Sequence, residues 1–351
     1  MNYRHSILAT SIATVLLTAC GGGGGGNVRP TPVDPPPPPP PATCQDQTAR
    51  NFGQPGACIP RYRGTRDNSL VSTNVDRVHA QGLTGEGVKV GLMDGGPRTD
   101  LQGASTYEGR YTFDGSRFLA PALATEPDTS HGHRMAQHIV GRAAGDFDGG
   151  VAPGATLEWL RFCSLDSSSP EGTGRCGGNF RGAYGFLFSR GVTIVNHSFG
   201  AQARFWEATG ADLDFYRAAG LSAGQAVQRD MLLVWAGGNR DEASISYDAG
   251  TPFFFPEYRR NWLAVIGVTI GADGRPTTTS GAQCVVAADW CIAAPDLNAN
   301  AVNNSGGSSS SAAIVSGVAA LVSQAFPWMG GRNLQASILT TATDLGAPGV
   351  D

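Results

Sequence analysis

The sequence has few charged residues and almost no lysine. Asp, Glu, Lys and Arg make up 15% of the 351 residues, and Lys89 is the only lysine. The 25 basic and 29 acidic side chains give a net charge of -4 without any basic tract, which argues against nucleic acid as the main partner. The apolar fraction of 41% is too high for a disordered chain, so a globular domain is present.

Motifs that would identify several other enzyme classes are missing. The chain has no HExxH motif and no CxxC or His-Cys spacing, although His131, His133 and His138 lie in one segment. Zinc is therefore not expected. The one GxSxG match, GLSAG at 220–224, lies inside an amphipathic helical stretch and not at the strand-to-helix turn of a nucleophile elbow, so it does not indicate an α/β-hydrolase. His138 and His197 are interpreted as buried or hydrogen-bonded structural residues.

The first apolar run is too short for a permanent membrane helix. It extends from Ile7 to Leu17 behind the cation Arg4, which is the pattern of an export signal. The LTAC that follows resembles the bacterial lipobox, whose cysteine is diacylated, so Cys20 is the predicted lipidation site. Gly21 after this cysteine favours the outer membrane by the same resemblance. An ordinary signal peptide with an incidental cysteine is the alternative.

A segment rich in glycine and proline follows the signal. It contains six consecutive glycines, Gly21–Gly26, and seven consecutive prolines, Pro35–Pro41. Glycine runs are flexible and proline runs form stiff polyproline II spacers. We predict a signal peptide at 1–19, a lipidated cysteine and tether at 20–43, and one globular region at 44–351. A proline-rich ligand for a partner domain is less compatible with export.

Short apolar runs in the globular region predict buried strands. These runs are 88–93, 156–162, 192–196, 231–235 and 263–268. They are continuous rather than alternating, as expected when helices cover both faces of a parallel sheet. Crossover helices are predicted near 131–143, 179–189, 212–229 and 309–325. The predicted fold class is α/β, a three-layer sandwich with a mostly parallel sheet flanked by helices.

Three polar motifs stand where such a sheet would form its ligand crevice. VKVGLMD ends on Asp94, HGHRMAQHIVG begins with His131, and SGGSSSSAAIVSGVAALV places Ser309 at a helix start. These motifs resemble those of the subtilisin-like serine peptidases, which contain D-[ST]-G, HGTHVAG and GTSMAxPHVAG in this order. Four more segments extend the resemblance over roughly 75–350, namely GVAPGATLEWLRF, GVTIVNHSFG, LLVWAGGNR and CIAAPD.

One branch of this family is more similar than the rest. AQGLTGEGVKVGLMDGG, DWCIAAP and VSGVAALV resemble the subtilase passenger domains of autotransporters, some of which are surface lipoproteins. The final residues, ASILTTATDLGAPGVD, resemble the late helix of the family and the loop that follows it. In autotransporter subtilases a closing helix and a translocator barrel come later. We expect either that this protein is longer than 351 residues or that it is a lipid-anchored periplasmic peptidase.

The resemblance implies a role for each site residue. Ser309 would attack the scissile carbonyl, His131 would transfer its proton, and Asp94 would orient the imidazole. Asn239 would stabilise the charged carbonyl oxygen together with the backbone N–H of Ser309. Two further sets would bind substrate: Ser198, Phe199 and Gly200 as a pairing strand, and Ala236, Gly237 and Gly238 as walls of the first specificity pocket. No organic cofactor is implied, and calcium binding is left open.

The serine run leaves alternatives open. Aligning VSG at 315–317 with the family's VAG makes Ser309 the nucleophile and puts Ser308 where the family has Thr. Four serines in a row also fit a polar linker in an inactive copy, and Asp94 and Asn239 could belong to ordinary turns. We therefore retain a catalytically inactive surface lipoprotein that acts in binding or adhesion, and a non-peptidase hydrolase with the same triad.

Six cysteines besides Cys20 form near neighbours in the sequence. An exported chain meets an oxidising compartment, where three local disulfides are the simplest of fifteen possible arrangements. The expected pairs are Cys44–Cys58, Cys163–Cys176 and Cys284–Cys291. Together these features predict a serine endopeptidase that hydrolyses peptide bonds in surface or exported proteins. It would be anchored by lipid at the outer membrane, on the cell surface or the periplasmic face.

Overall fold

The fold is defined by ten stretches of the chain. The computed structural model describes residues 69–95, 110–114, 131–141, 149–163, 180–200, 210–239, 245–270, 276–279, 283–296 and 307–343. The predicted signal peptide, the lipidation site Cys20 and the tether lie outside these residues, as do Cys44, Cys58 and Cys176.

Eight strands and seven α-helices form within the described residues. The strands are β1 (Lys89–Gly95), β2 (Arg110–Asp114), β3 (Thr156–Cys163), β4 (Ile194–His197), β5 (Leu232–Ala236), β6 (Trp262–Ile270), β7 (Pro276–Thr279) and β8 (Cys291–Pro295). The α-helices are α1 (Ser69–Ser72), α2 (Val75–His79), α3 (His131–Val140), α4 (Phe180–Ser189), α5 (Gly210–Gln228), α6 (Ser308–Ala325) and α7 (Gly331–Thr341). Short 3₁₀ helices occupy Thr251–Phe253, Pro256–Asn261 and Val285–Trp290.

Six of the strands form a parallel sheet. Their order is β3-β1-β4-β5-β6-β8, while β2 pairs antiparallel with β3 and β7 pairs antiparallel with β6. Parallel neighbours need long crossover connections, which is why helices alternate with strands along this chain. In the described ranges no helix has the length and apolarity that a membrane crossing requires.

Alternate side chains of the parallel strands pack into two separate cores. In β5, Leu232 and Val234 belong to the first core, whereas Leu233 and Trp235 belong to the second. The first core also contains side chains of α3, α6 and α7, and the second contains side chains of α4 and α5. Since successive residues of a strand face opposite sides of the sheet, helices cover both faces. The predicted three-layer α/β class is confirmed.

The apolar runs predict the central strands but not the edges. All five predicted strands form, with ends shifted by one to a few residues. By contrast, β2 (RYTFD), β7 (PTTT) and β8 (CIAAP) are absent from that prediction. The first two pair antiparallel with β3 and β6 and carry no continuous apolar run, so composition alone does not mark them.

Helix α6 contacts the loop before β3 at a glycine. A Cβ built on Gly317 would lie 2.5 Å from the Cβ of Val151, which is closer than carbon atoms pack. Gly185 in α4 is the opposite case, because a Cβ there would meet no atom within 4 Å. The two glycines therefore differ in what an added methyl group encounters.

Replacing these two glycines by alanine should change stability in opposite directions. Gly317→Ala should lower the free energy of unfolding by about 1 to 3 kcal/mol, because the helix must move away from Val151. Gly185→Ala should raise it by about 0.5 to 1 kcal/mol, since alanine is the better helix former. Urea unfolding of both variants measures the difference. Equal effects of the two substitutions would contradict the packing described for α6.

Candidate active site

The predicted site residues gather at the carboxyl ends of the parallel strands. Asp94 lies at the end of β1, Ser198 directly follows β4, and Asn239 follows β5. These three strands are adjacent in the sheet. His131 begins α3, and Ser309 lies in the first turn of α6. Carboxyl ends of parallel strands share one edge of a sheet, where crevices for ligands form.

Asp94 and His131 are in direct contact. The Nδ1 atom of His131 lies 2.9 Å from Oδ1 and 3.0 Å from Oδ2 of Asp94. Because a carboxylate only accepts hydrogen bonds, Nδ1 carries the proton, and in the neutral ring Nε2 is left as the acceptor. The carboxylate is 2% exposed and the imidazole 16% exposed. A histidine oriented in this way can take up a proton at Nε2.

The start of α3 lies against the end of β1 because Gly132 has no side chain. A Cβ at this position would overlap the carbonyl oxygen of Gly95 and lie 2.8 Å from the ring of Trp159. The indole N–H of Trp159 donates to the same carbonyl at 3.0 Å. Gly132 thus allows the close approach that brings His131 to Asp94.

Arg134 adds positive charge one turn after His131. Burial lowers the pKa of its guanidinium, and the Asp94 carboxylate raises it. Asp94 therefore interacts electrostatically with two side chains of the same helix, His131 and Arg134. Sequence reasoning did not single out Arg134.

The four serines at the start of α6 are buried in the helix rather than forming a linker. Ser308 donates both its N–H, at 2.8 Å, and its hydroxyl, at 2.9 Å, to Oδ1 of Asn239. The Ser308 hydroxyl also accepts the N–H of Gly238 at 2.9 Å. With Oδ1 occupied by two donors, the amide of exposed Asn239 presents Nδ2 as its donor end.

Ser309 is joined to Ser198 by two reciprocal hydrogen bonds. The Ser309 hydroxyl donates to the Ser198 carbonyl at 3.0 Å, and the Ser198 hydroxyl donates to the Ser309 carbonyl at 2.8 Å. His131 and Ser309, both described, form no hydrogen bond with each other. In this state the serine hydroxyl is directed to the strand end and not to the imidazole.

A buried polar chain continues from Ser198 into the protein. The amide of Asn196 donates to the Ser198 hydroxyl at 2.8 Å, and Ser316 donates to Oδ1 of Asn196 at 3.0 Å. Asn196 is fully buried in β4. Its two amide ends therefore connect the middle of α6 to the strand end that holds Ser309. An amide inside an otherwise apolar strand is recognisable in the sequence, but the sequence analysis assigned no role to Asn196.

Gly307 determines how the chain enters α6. Its φ of 109° lies in the region that favours glycine, and a Cβ there would be 2.5 Å from Oδ1 of Asn239. Its N–H donates to the carboxylate of buried Asp296, which directly follows β8. Asp296 lies in the CIAAPD segment, which sequence reasoning recognised without assigning this residue a role.

The two predicted substrate-binding segments lie at the ends of two adjacent strands. Ser198 is buried, Phe199 is half-buried against the rings of His197 and Trp235, and Gly200 is exposed. In the second segment Ala236 and Gly237 are buried and Gly238 is half-buried. The residues that would contact a substrate thus belong to the ends of β4 and β5.

His197 is a structural residue, as predicted. It is fully buried and stacks on Trp235 with ring centroids 3.8 Å apart. Its Nδ1 donates to the Val234 carbonyl at 3.2 Å, so its Nε2 accepts the hydroxyl of Tyr184 at 2.9 Å. Desolvation by burial lowers the pKa of His197 to about 3, which keeps the ring neutral.

The structure describes only some of the residues that the remaining predictions concern. Cys284 and Cys291 form a disulfide that joins the two ends of a 3₁₀ helix before β8. Cys163 ends β3, but its predicted partner Cys176 is outside the described residues. Among the residues that the structure describes, no group of three His, Cys, Asp or Glu side chains could hold a metal ion.

Comparison with known proteins defines the family. The subtilase family (Peptidase S8) matches residues 85–351, and the chain belongs to this family. The resemblance of the sequence motifs to subtilisin-like peptidases is thereby confirmed.

Individual relatives differ in how much of their length the chain covers. The neisserial autotransporter lipoprotein NalP of Neisseria meningitidis serogroup B is 31% identical over 264 residues, 62% of this chain and 24% of NalP. This chain therefore spans about a quarter of that relative. Subtilisin BL of Lederbergia lenta is 28% identical over 284 residues, 77% of this chain and 88% of the relative. The crystal structure of MycP1 from Mycobacterium smegmatis has a TM-score of 0.53 at 20% identity, covering 84% of both chains, and shows the same fold.

Acid should destabilise the protein through His197. Its pKa falls from an ordinary value of 6.5 to about 3 in the folded state, so the unfolded chain binds more protons between these values. This contribution is complete above about pH 6.5 and is lost as the pH falls toward 3, by on the order of 2 to 3 kcal/mol at pH 4.5.

The measurement compares urea unfolding at pH 7 and pH 4.5 for the wild type and for His197→Gln. Glutamine retains a donor and an acceptor but does not titrate, so the variant should lose less stability between the two pH values. Other titrating groups are common to both proteins and cancel in the comparison. Equal losses would show that His197 is not a source of the acid sensitivity.

Proposed function

We propose that this subtilase is a serine endopeptidase that acts on surface or exported proteins through Asp94, His131 and Ser309. The observation that carries the proposal is the contact between Asp94 and His131 at the sheet edge where the serine helix begins. If Asp94 were only a carboxylate in an ordinary turn, no histidine would need to lie within hydrogen-bond distance of both of its oxygens. Protein and peptide substrates follow from the family.

The reaction would proceed by proton transfer through His131. The Ser309 hydroxyl oxygen adds to the carbonyl carbon of the substrate while its proton passes to Nε2 of His131. The imidazolium then gives this proton to the leaving amine, and Asp94 stabilises the transient positive charge. Water hydrolyses the acyl-enzyme by the same steps and regenerates the serine.

The charge that forms on the substrate oxygen would be stabilised by donors at the start of α6. Nδ2 of Asn239 is one donor, because Ser308 occupies the other end of the amide. The backbone N–H of Ser309 is the second, at the positive end of an 18-residue helix. Such a donor typically contributes ~2.7 to 4 kcal/mol of transition-state stabilisation.

Catalysis requires Ser309 to change its hydrogen-bond partner. A rotation about its Cα–Cβ bond moves the hydroxyl between staggered positions, away from the Ser198 carbonyl and toward the crevice. Catalytic hydrogen bonds are commonly loose before substrate binds, so this resting contact is compatible with the proposed role.

Ser309→Ala should abolish both fluorophosphonate labelling and casein hydrolysis. The variant should stay folded, because it loses one hydrogen bond of about 1 kcal/mol. His131→Ala should be as damaging, since the members of a triad act as a unit. Labelling is measured on gels, hydrolysis by release of labelled peptides, and folding by circular dichroism.

Ser308→Ala is the matched control for this experiment. It removes one contact to Asn239, so it should be labelled more slowly but still be labelled. If Ser308→Ala were inactive and Ser309→Ala kept the wild-type rate, the nucleophile would be Ser308. A wild-type protein that is never labelled would support the inactive binding or adhesion lipoprotein.

The protein is proposed to be exported and anchored by lipid at the outer membrane. The apolar run from Ile7 to Leu17, the LTAC sequence that ends at Cys20 and the following glycine and proline tether support this location. One relative, NalP, is named as an autotransporter lipoprotein. Acyl chains would hold the peptidase at the membrane while the tether gives it reach.

Cys20→Ser should release the protein from the membrane fraction. Without the sulfur there is no site for the diacyl group, so incorporation of radioactive palmitate should also be lost. The wild-type protein should fractionate with outer membranes and carry the label. A wild-type protein that takes up no palmitate and is found free after cell lysis would overturn the anchor.

A further inference from the structure

A buried acid holds the residue at which the chain enters α6. Asp296 is 6% exposed and directly follows β8. Its carboxylate oxygen Oδ1 accepts the backbone N–H of Gly307, which immediately precedes the helix. Its own N–H donates to the carbonyl of Val268 in β6 at 2.8 Å. Asp296 therefore connects the sheet to the start of the helix that carries Ser309.

Gly307 in turn lies directly against the amide group of Asn239. A Cβ built on Gly307 would be 2.5 Å from Oδ1 and 2.9 Å from Nδ2 of this amide. The next residue, Ser308, donates both its N–H and its hydroxyl to Oδ1. Since Asp296 holds the backbone of Gly307, it also holds the two donors that Ser308 offers to Asn239.

The orientation of the Asn239 amide decides whether it can stabilise a negative charge. An asparagine can present either its oxygen or its nitrogen, and only Nδ2 donates hydrogen bonds. Asn239 is an exposed side chain, so it depends on specific contacts for its orientation. The two donors of Ser308 hold Oδ1 at the start of the helix and leave Nδ2 as the donor. A displaced helix start would remove this preference.

The second oxygen of the acid shows that stability alone does not account for it. Among the described residues, Oδ2 of Asp296 is buried without a hydrogen-bond partner. A buried polar atom of this kind lowers stability. What the carboxylate supplies in return is a strong acceptor for one backbone N–H, because hydrogen bonds to an ionised group are stronger than neutral ones.

We propose that Asp296 is a positioning residue for catalysis, which acts through Gly307 and Ser308 to keep Nδ2 of Asn239 directed at the substrate oxygen. This inference rests on the proposed peptidase function. Negative charge develops on that oxygen only as the serine adds to the carbonyl, so the contribution of Asn239 is made in the transition state. Loss of Asp296 should therefore lower kcat and leave KM nearly unchanged.

The experiment compares two replacements of Asp296 with one fluorogenic peptide substrate. Asp296→Ala removes the acceptor, and it should lower kcat by about 10- to 100-fold while KM changes by less than about threefold. Asp296→Asn removes the charge but keeps an oxygen that can accept the Gly307 N–H, so its kcat should stay within about fivefold of the wild type. If Asp296→Ala does not fold, Asp296→Leu takes its place, because leucine has a similar branched shape and no acceptor.

A double-mutant cycle with Asn239 distinguishes positioning from a purely structural role. Asn239→Ala alone should lower kcat by about 10²- to 10³-fold. Adding Asp296→Ala to this variant should lower kcat by less than about a further threefold, because the donor that Asp296 positions is already gone. Rates of fluorophosphonate labelling supply the same comparison for variants whose peptide turnover is too slow to measure.

Asp230→Ala is the matched control. The carboxylate of Asp230 accepts the backbone N–H of Arg332 at 3.0 Å in the first turn of α7, so this acid also holds the start of a helix. Asp230 precedes β5 and therefore lies at the amino edge of the sheet, away from the proposed active site. Its loss should lower the midpoint of urea unfolding but leave kcat and KM at their wild-type values.

Several results would overturn the positioning role and leave the peptidase function intact. One is a wild-type kcat in Asp296→Ala, and another is an equal loss of kcat in Asp296→Ala and Asp296→Asn. An undiminished effect of Asp296→Ala in the Asn239→Ala background would also overturn it, as would normal turnover by Asn239→Ala alone. Absence of cleavage together with absence of fluorophosphonate labelling in the wild type would overturn the peptidase function and this inference with it.

Discussion

A buried hydroxyl needs a hydrogen-bond partner, and the start of α6 imposes this requirement four times in succession. The partners of Ser308–Ser311 include groups from three different strand ends. Asn239 follows β5, Ser198 follows β4, and the Pro295 carbonyl closes β8. The first turn of the helix therefore links the ends of three strands to one another through its hydroxyl groups. A helix start with apolar side chains could pack here, but it would form no directional bonds that fix the positions of these strand ends.

The interior contains both apolar packing and buried polar contacts. The two cores are formed by aliphatic and aromatic side chains. Near the carboxyl edge of the sheet the protein buries Asn196, Asp94 and Asp296, and away from that edge it buries Glu158 and Gln335. Buried polar groups reduce stability unless they are paired, so each of these side chains depends on the contacts that surround it.

Much of this arrangement was predictable from short stretches of sequence. Continuous apolar runs identified the central strands because two-sided burial leaves no polar alternation. Asp94 was recognisable because it ends such a run. The distance of the serines from VSG at 315–317 identified Ser309 as the candidate nucleophile among the four. The pairing of Asn196 with Ser316 was not, because the two residues are 120 positions apart and meet only after folding.

The alternation of side chains between the two cores also limits how the protein can change length. One residue inserted within β5 would turn Leu233 and Trp235 toward the opposite core and exchange large rings with small aliphatic groups. Insertions and deletions are therefore tolerated in the connections between elements rather than in the strands. The connections at the carboxyl edge are the ones that border the crevice. Evolution by insertion can thus remodel what the crevice accepts while the sheet beneath it stays unaltered.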